Sequence, residues 1–412
     1  MTHTSKLIIG SLSQMLKGKK IALGVTGSVA AVECVAISRL LMRHGAEVYP
    51  IMSPMAHKII HPYLLEWATG NPVVVELTGQ IEHVDLGGKH DEHVDLYLIA
   101  PATANTIGKI ANGIDDTAVT TTATSAIGAG IPVLIVPAMH RSMYDHPGVL
   151  ENIDKLSRIG VQIMGSRMEE AKAKIASPDT IVEKVIAMLS PQDLEGKHFV
   201  VTAGPTRGWI DRVRFITNPS SGKMGIEVAR EISFRGGTVD LIIGPTIIEP
   251  PPYVDVVNVE TPSEMMEAVM NSLKKSKTSA VISAAAVLDY IPLEKKDIKM
   301  ASGKEKLSVD LESTPKIIEA VREKYKKMFI VGFKVESEVS DKELEKRAKA
   351  KIDGGICDLV VANDAHRKGV AFGTDTNEVL IVSSEGVVKK VPLSSKRNVA
   401  KEIVDIISQR IK

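Results

Sequence analysis

Cysteine is nearly absent: Cys34 and Cys357 are the only two in 412 residues, each within an apolar periodic segment. That excludes a disulfide framework and predicts a reducing compartment, the cytoplasm. Aromatic residues are also scarce, at 4% against 44% hydrophobic residues in all, so the core must be aliphatic, which suits buried parallel strands of Val, Ile and Leu. No run of about 18 apolar residues occurs, and residues 1–18 lack the apolar stretch and cleavage pattern of a secretory signal, so no membrane partner is expected. An excess of one charge is missing too. Lys and Arg number 51 against 50 for Asp and Glu, a formal net charge of +1, which gives no general pull toward nucleic acid or anionic lipid. Any anionic ligand has to be held locally.

What is present is one pattern used twice. An apolar run over residues 20–25 leads into the turn Thr26-Gly27-Ser28, then a helical spacing of Val32, Val35, Ala36, Leu40 and Leu41, a stop at His44-Gly45 and a second strand over 47–51. The pattern recurs with a strand over 198–202, the turn Gly204-Pro205-Thr206, a helix over 224–234, a stop at Gly236-Gly237 and a strand over 238–243. Further strands are predicted over 96–100, 133–136, 280–283, 329–332 and 359–362. A C-terminal helix carries Val399, Ile403, Ile407 and Ile411 on one face. The fold expected is α/β: two doubly wound, Rossmann-like parallel-sheet domains, over 1–190 and 191–412, divided at Ser190-Pro191-Gln192-Asp193.

In such sheets ligands bind beyond the carboxyl ends of the strands, where a helix start offers free N–H groups to phosphate. Gly27-Ser28 holds that place in the first half. It lacks the G-x-G-x-x-G spacing that favours a dinucleotide, so a mononucleotide such as FMN fits better. Three further strings lie at strand ends: His83-Val-Asp-Leu86, Pro101-Ala-Thr-Ala-Asn105 and Pro137-Ala-Met-His140. Together these resemble the flavin-containing cysteine decarboxylase family, over about residues 18–190. The resemblance implies that Gly27, Ser28, Ser53, Thr103 and Asn105 hold FMN, and that His83, opening an H-[IV]-x-L motif, acts near the substrate carboxylate. It also implies oxidation of the substrate thiol by the flavin, loss of carbon dioxide and return of the electrons.

Two positions depart from the family. His140 stands where bacterial members carry the substrate-binding Asn of P-A-M-N. The lid stretch, 164–175, lacks the cysteine that serves as proton donor in the family, so the group that reprotonates the enethiolate is left unassigned. Metal binding by His83, His90 and His93 with their neighbouring aspartates is an alternative for the histidine segment, with a spacing unusual for zinc.

In the second half, Pro219-Ser-Ser-Gly-Lys-Met-Gly225 puts two serines, two glycines and a lysine at a helix start, a phosphate cradle without the triphosphate-loop spacing. With Val201-Thr-Ala-Gly-Pro-Thr-Arg207 and Asp211-Arg-Val-Arg-Phe-Ile-Thr-Asn218 it closely resembles phosphopantothenate–cysteine ligase, from about residue 195 to the end. The chain as a whole is similar to the bifunctional decarboxylase and ligase proteins of coenzyme A biosynthesis. The resemblance implies that the carboxylate of 4'-phosphopantothenate attacks the alpha phosphate of CTP, releasing pyrophosphate, after which the cysteine amine displaces CMP.

By position, Asn218 steadies the acyl nucleotide, Ser220, Ser221 and Gly222 meet phosphate, and Arg214 offers a charge-assisted clamp. Ser283, Ala284 and Ala285 form the base-binding strand end, and Asp289 lies near a Mg2+ ion. Pro315, Lys316, Ile317, Ile318, Phe333 and Lys351 make further nucleotide contacts. Lys299 is the catalytic lysine, with Lys295 and Lys296 as rivals. The resemblance also implies a homo-oligomer, with trimers through the first domain and dimers through the second, and a dodecamer as the assembly combining them. Two other functions are weighed: a tandem-Rossmann NAD(P)-dependent oxidoreductase, which the glycine spacing disfavours, and an active ligase carrying a regulatory, non-catalytic flavin module.

Overall fold

The first apolar run folds as β1 (Lys20–Val25), buried beyond Lys20, and its neighbours follow from the same aliphatic composition. A computed structural model describes residues 3–165, 167–169, 172–300, 307–370 and 373–411. By internal contacts the chain forms two compact units, Met1–Ser190 and Pro191–Lys412. No helix among the described residues is long and apolar enough to cross a membrane.

In the N-terminal unit β1 is followed by a 3-10 turn, Val29–Glu33, and helix α1 (Cys34–Arg43). Then come β2 (Glu47–Met52), β3 (Leu96–Ala102), α2 (Ala104–Ala111), α3 (Ala118–Ala129), β4 (Val133–Pro137) and β5 (Gln162–Ile163). All pairs in the sheet are parallel, in the order β2-β1-β3-β4-β5. The chain therefore changes direction of travel beside β1, and the Gly27 turn opens at that point. Glycine at position 24 is dictated by its neighbour strand: a Cβ there would lie 2.5 Å from the Tyr97 hydroxyl, and Tyr97, wholly buried, donates to the Val119 carbonyl at 3.0 Å.

The first helix differs in phase from the sequence expectation. Because Val29–Glu33 winds as a 3-10 turn, the buried face of α1 is Cys34, Ile37, Ser38, Leu41 and Met42, while Val32 is turned out to solvent. Cys34 is fully buried and its Sγ donates to the Ala100 carbonyl at 3.2 Å.

The C-terminal unit contains β6 (His198–Ala203), α4 (Lys223–Phe234), β7 (Thr238–Ile243), β8 (Asp255–Asn258), β9 (Thr278–Ser283), α5 (Ile317–Lys324), β10 (Phe329–Glu336), α6 (Asp341–Asp353), β11 (Leu359–Asp364), β12 (Thr376–Ser383), β13 (Gly386–Ser395) and α7 (Lys396–Arg410). The sheet order is β8-β7-β6-β9-β10-β11-β12-β13. From β8 to β11 the pairs are parallel, and the order reverses between β6 and β9.

The last two strands correct the expectation of a wholly parallel sheet: β12 pairs antiparallel with both β11 and β13. The cause is local. Ser383 opposes Gly386, so only two residues join β12 to β13, and a two-residue hairpin, with Gly386 at a φ of +106°, closes antiparallel without a crossover helix. Helices α4 and α7 share one core, with Val228 and Ile232 of the first against Val399, Ile403 and Ile407 of the second, all fully buried, each worth about 1.5–3 kcal/mol. Cys357 is 3% exposed, and a Cβ on Gly332 would lie 2.7 Å from its Sγ.

Candidate functional site

In the N-terminal unit one hydroxyl joins two strand ends. Thr26 Oγ1 donates to the Pro101 carbonyl at 2.7 Å and accepts from the Thr103 N–H at 3.0 Å, which fixes the Gly27-Ser28 turn against the start of α2. Gly27 is required by close approach, since a Cβ there would stand 2.4 Å from the Met55 Cβ. Ser28 caps the 3-10 turn by accepting from the Ala30 N–H at 3.4 Å, and Thr103 caps α2 by accepting from Thr106 at 3.3 Å.

These residues line a cavity of about 670 Å³, shared with the apolar side chains of Ala138, Met139, Met143 and Ile175. Of the predicted residues, Gly27, Ser28, Thr103 and His140 line it; Ser53, Asn105 and His83 do not. Ser53 is buried, with its N–H on the Val25 carbonyl at 3.0 Å, and Asn105 is exposed on the first turn of α2. A glycine-walled, largely apolar cavity at a parallel strand end fits a flat flavin ring with its phosphate at Gly27-Ser28.

His140 Nδ1 lies 2.8 Å from the Ser142 hydroxyl and 3.3 Å from its N–H, which fixes the ring against the start of the next helical turn. Residues Met139–His140 pair with Lys172–Lys174, and Lys172–Lys174 with Arg167–Glu169, so the backbone of the lid stretch runs beside His140. Ser166, Glu170 and Ala171 of that stretch lie outside the described residues. His83 sits in a short helix, Glu82–Gly87, entered through Ile81 at a φ of +50°. Its Nδ1 is buried and has no hydrogen-bond partner among the described residues. His83, His90 and His93 form no metal-ligand cluster; none of three or more His, Cys, Asp or Glu occurs among the described residues.

In the C-terminal unit the site assembles where the sheet order reverses. Helix α4 starts at Gly222, with a φ of +75° and no side-chain cap, so the first-turn N–H groups face outward with the positive end of the helix dipole. The loop before it is held by a chain of bonds. Ser220 Oγ accepts from Gly222 N–H at 3.3 Å, and the Asn218 amide donates to the Ala286 carbonyl at 3.0 Å and that of Val287 at 3.2 Å. The β9 end is itself pinned to β6: Ala284 N–H reaches the Thr202 carbonyl at 3.2 Å, Ala285 N–H the Thr202 hydroxyl at 3.2 Å, and Ala286 N–H the Gly204 carbonyl at 2.9 Å.

A second cavity of about 670 Å³ lies here. Asn218, Ser220, Ser221 and Gly222 line it from the α4 loop, and Ser283, Ala284, Ala285 and Asp289 from the β9 end. Pro315, Lys316, Ile317 and Ile318 line it from the start of α5, with Phe333 of β10 and Lys351 of α6. The α5 segment is fixed by Thr314, whose hydroxyl donates to the Leu288 carbonyl at 2.6 Å and whose N–H donates to that of Asp289 at 2.9 Å. Asp289 is ion-paired with Lys316, both well exposed.

Arg214 and Lys299 are not among the lining residues. Arg214 Nε donates to Asp211 Oδ2 at 3.0 Å and its Nη2 to the Met300 carbonyl at 2.6 Å. Burial opposes ionisation of Asp211, yet the Val213, Met300 and Arg214 N–H groups and the Arg214 guanidinium hold its carboxyl down at about 2. Arg214 thus braces the segment that carries Lys299, which is exposed. Lys295 lies 5.7 Å over the Trp209 ring, and Lys296 is paired with Glu294 at 2.7 Å.

Two family models divide the chain. The one described as Flavoprotein matches residues 9–190, and the DNA/pantothenate metabolism flavoprotein C-terminal domain matches 194–411. A Thermococcus kodakarensis protein called coenzyme A biosynthesis bifunctional protein CoaBC is 50% identical over 412 residues, covering 100% of both chains. A Methanocaldococcus jannaschii protein of the same name is 37% identical, over 100% of this chain and 98% of its own. The crystal structure of the C-terminal domain of a protein of that name is 34% identical, covers 53% of this chain and 97% of its own, and has a TM-score of 0.45. The chain belongs to the coenzyme A biosynthesis bifunctional protein family.

This CoaBC-family chain is an α/β protein with a parallel flavoprotein-type sheet and a separate C-terminal domain of the DNA/pantothenate metabolism flavoprotein type. Sequence reasoning missed Lys334, Asn377 and Lys396, which also line the C-terminal cavity. They lie on β10, β12 and at the start of α7, outside any glycine-rich string, and only the pairing of β11 with β12 brings the last two near. The signal for Lys396 is its place at the first position of a capped helix, after Ser395.

Proposed function

We propose that the C-terminal unit joins 4'-phosphopantothenate to cysteine through an acyl-cytidylate made from CTP with Mg2+, and that the N-terminal unit decarboxylates the product with FMN. The chain is a bifunctional enzyme of coenzyme A biosynthesis that combines ligase and decarboxylase activities. The observation that carries the ligase assignment is the convergence on one cavity of the uncapped α4 start, the locked Asn218 amide and the pinned β9 end. Both sheets reverse order next to their first strand, which supports reading them as doubly wound.

In the ligase unit the α4 N–H groups and Ser220, Ser221 and Gly222 hold phosphate oxygens. Asn218 is oriented by two carbonyls, so it meets the acyl nucleotide without reorganising. Asp289, now paired with Lys316, is the carboxylate that would hold a Mg2+ ion beside the phosphates, where the ion would offset their charge. Ser283, Ala284, Ala285 and Phe333 bound the base, and Pro315, Ile317, Ile318 and Lys351 complete the wall. Lys299 approaches on a segment braced by Asp211 and Arg214.

In the decarboxylase unit Gly27, Ser28 and Thr103 hold the flavin; Ser53 and Asn105 lie outside the lining of this cavity and act, on this reading, from behind it. His140, which lines the cavity, meets the substrate, while His83, outside the lining, keeps its role toward the carboxylate from the family resemblance alone. A bound FMN supplies oxidation of the thiol and return of the electrons after carbon dioxide leaves. Val29 and Val32, 81% and 59% exposed on the turn that lines this cavity, favour trimers that cover them; dimers form through the other unit. The two buried free cysteines suit the cytoplasm.

The deciding experiment supplies 4'-phosphopantothenate, cysteine, Mg2+, FMN and either CTP or ATP to the full chain and follows products by mass. Release of CMP and appearance of 4'-phosphopantetheine are expected. Phosphopantothenoylcysteine accumulating without carbon dioxide would sink the decarboxylase assignment alone; no nucleotide cleavage would sink the ligase.

A further inference from the structure

Lys396, first residue of α7, is only 7% exposed yet lines the C-terminal cavity. Its ammonium has three donors, and the one acceptor it meets among the described residues is the Thr374 carbonyl at 2.6 Å, with no carboxylate in ion-pair reach. A nearly buried cation in that state is costly unless an anion arrives. Burial, then repulsion from Lys223, depresses its pKa, so the two ammonium groups feel one another.

Lys223 opens α4 next to uncapped Gly222 and is ion-paired with Asp375, whose side chain is 81% exposed. The Asp375 carbonyl in turn accepts from the Lys396 N–H at 2.9 Å, so one exposed residue touches both lysines. Two lysines that share one exposed carboxylate, paired directly with Lys223 and felt at longer range by Lys396, stand beside free helix N–H groups in one cavity.

We infer that Lys396 and Lys223 seat a phosphate group there, with Asp375 as the resident counter-ion that the phosphate displaces from Lys223. The identity of the ligand rests on the ligase reading: the phosphate belongs either to the pyrophosphate end of the nucleoside triphosphate or to the phosphorylated acyl substrate. Both present the same oxygens to the same cations.

The test titrates inorganic pyrophosphate, and separately inorganic phosphate, into the full chain by calorimetry, which reports the seat whether or not the chain ligates. Lys396→Met keeps the aliphatic stem and is expected to weaken pyrophosphate binding roughly 10- to 100-fold, the worth of a charged hydrogen-bonded contact. Lys396→Arg retains most of the affinity, and Asp375→Asn, which frees Lys223, tightens it. Ligase kinetics then assign the source: a raised KM for the nucleotide places the triphosphate there, and a raised KM for phosphopantothenate places the substrate phosphate there.

A wild-type chain that binds neither anion overturns the proposal. So does Lys396→Met with unchanged anion affinity and both KM values unchanged. Where Lys396→Met fails to fold, Asp375→Asn decides, and an affinity no tighter than wild type overturns the proposal. Absence of ligation by the wild type, with Lys396-dependent pyrophosphate binding intact, removes the ligase reading and leaves the anion seat.

Discussion

A Cβ on Gly222 would lie 3.2 Å from the Cα of Gly204, and Gly222 sits at a φ of +75°. The start of α4 and the turn after β6 are therefore in backbone contact, which aims the free N–H groups across the strand end.

Gly222→Ala places a side chain in both the strained φ and the contact. The strain alone costs about 1–2 kcal/mol. Gly160→Ala is the control, because Gly160 has a φ of +91° with nothing within 4 Å of its Cβ. Both variants lose stability in thermal unfolding, but only Gly222→Ala loses ligase kcat/KM, by at least ~10-fold, as expected where a small displacement spoils alignment. Equal ligase activity in the two would refute the role given to the contact.

Gly27→Ala drives a methyl group into the Met55 Cβ, 2.4 Å away. The purified variant is expected to carry little flavin by absorbance, and Met55→Gly in the same chain restores part of it. Failure of the second substitution to restore flavin would show that the clash is not the cause.

The strands of both sheets are legible in sequence because they are unbroken aliphatic runs: β1 and β6 begin at Lys20 and His198 as their patterns indicate. The β12–β13 hairpin escaped because β13 is an exposed edge, with charged Lys389 and Lys390 between Val387, Val388 and Val391, and no core pattern to announce it. The cavity strings around Gly27 and Gly222 announce themselves through glycine, whose need for close approach is local. Arg214 shows the limit: its charge is plain in the sequence, but its commitment to Asp211 and the Met300 carbonyl depends on a segment 86 residues away. Lys396 escaped for the same reason, being one cation among 51 until the fold buries it.

Asn218→Asp replaces the donor amide with a carboxylate oxygen facing the Ala286 and Val287 carbonyls. Two lost hydrogen bonds and a new repulsion predict a fall in ligase kcat/KM of at least ~100-fold. Carbon dioxide release from supplied phosphopantothenoylcysteine is expected to stay within twofold of wild type. A fall in both activities would point to general unfolding instead.

Glu231 gives the pH dependence. It is 4% exposed on α4, and burial raises its carboxyl to about 7 against the pull of Arg235, Lys401 and Arg397. The folded state then holds a proton that the unfolded chain releases from about 4.5 upward, so stability falls as pH rises through that window and levels off above about 7. Glu231→Gln removes this slope and gains roughly 3 kcal/mol at high pH, with little change at pH below the window. Denaturant melts of both chains at the two ends of the window check it; parallel pH profiles would contradict it.

The two cysteines carry a consequence for an enzyme that handles free thiols. Cys34 is sealed under β3, and burial pushes the Cys357 thiol up to about 11, so neither supplies a thiolate. Without one, the protein cannot enter disulfide exchange with oxidised cysteine or with its own thiol product, and no mixed disulfide can trap it. Swings in the redox state of the thiol pool therefore act on this enzyme through its substrate and product, not through a thiol of its own.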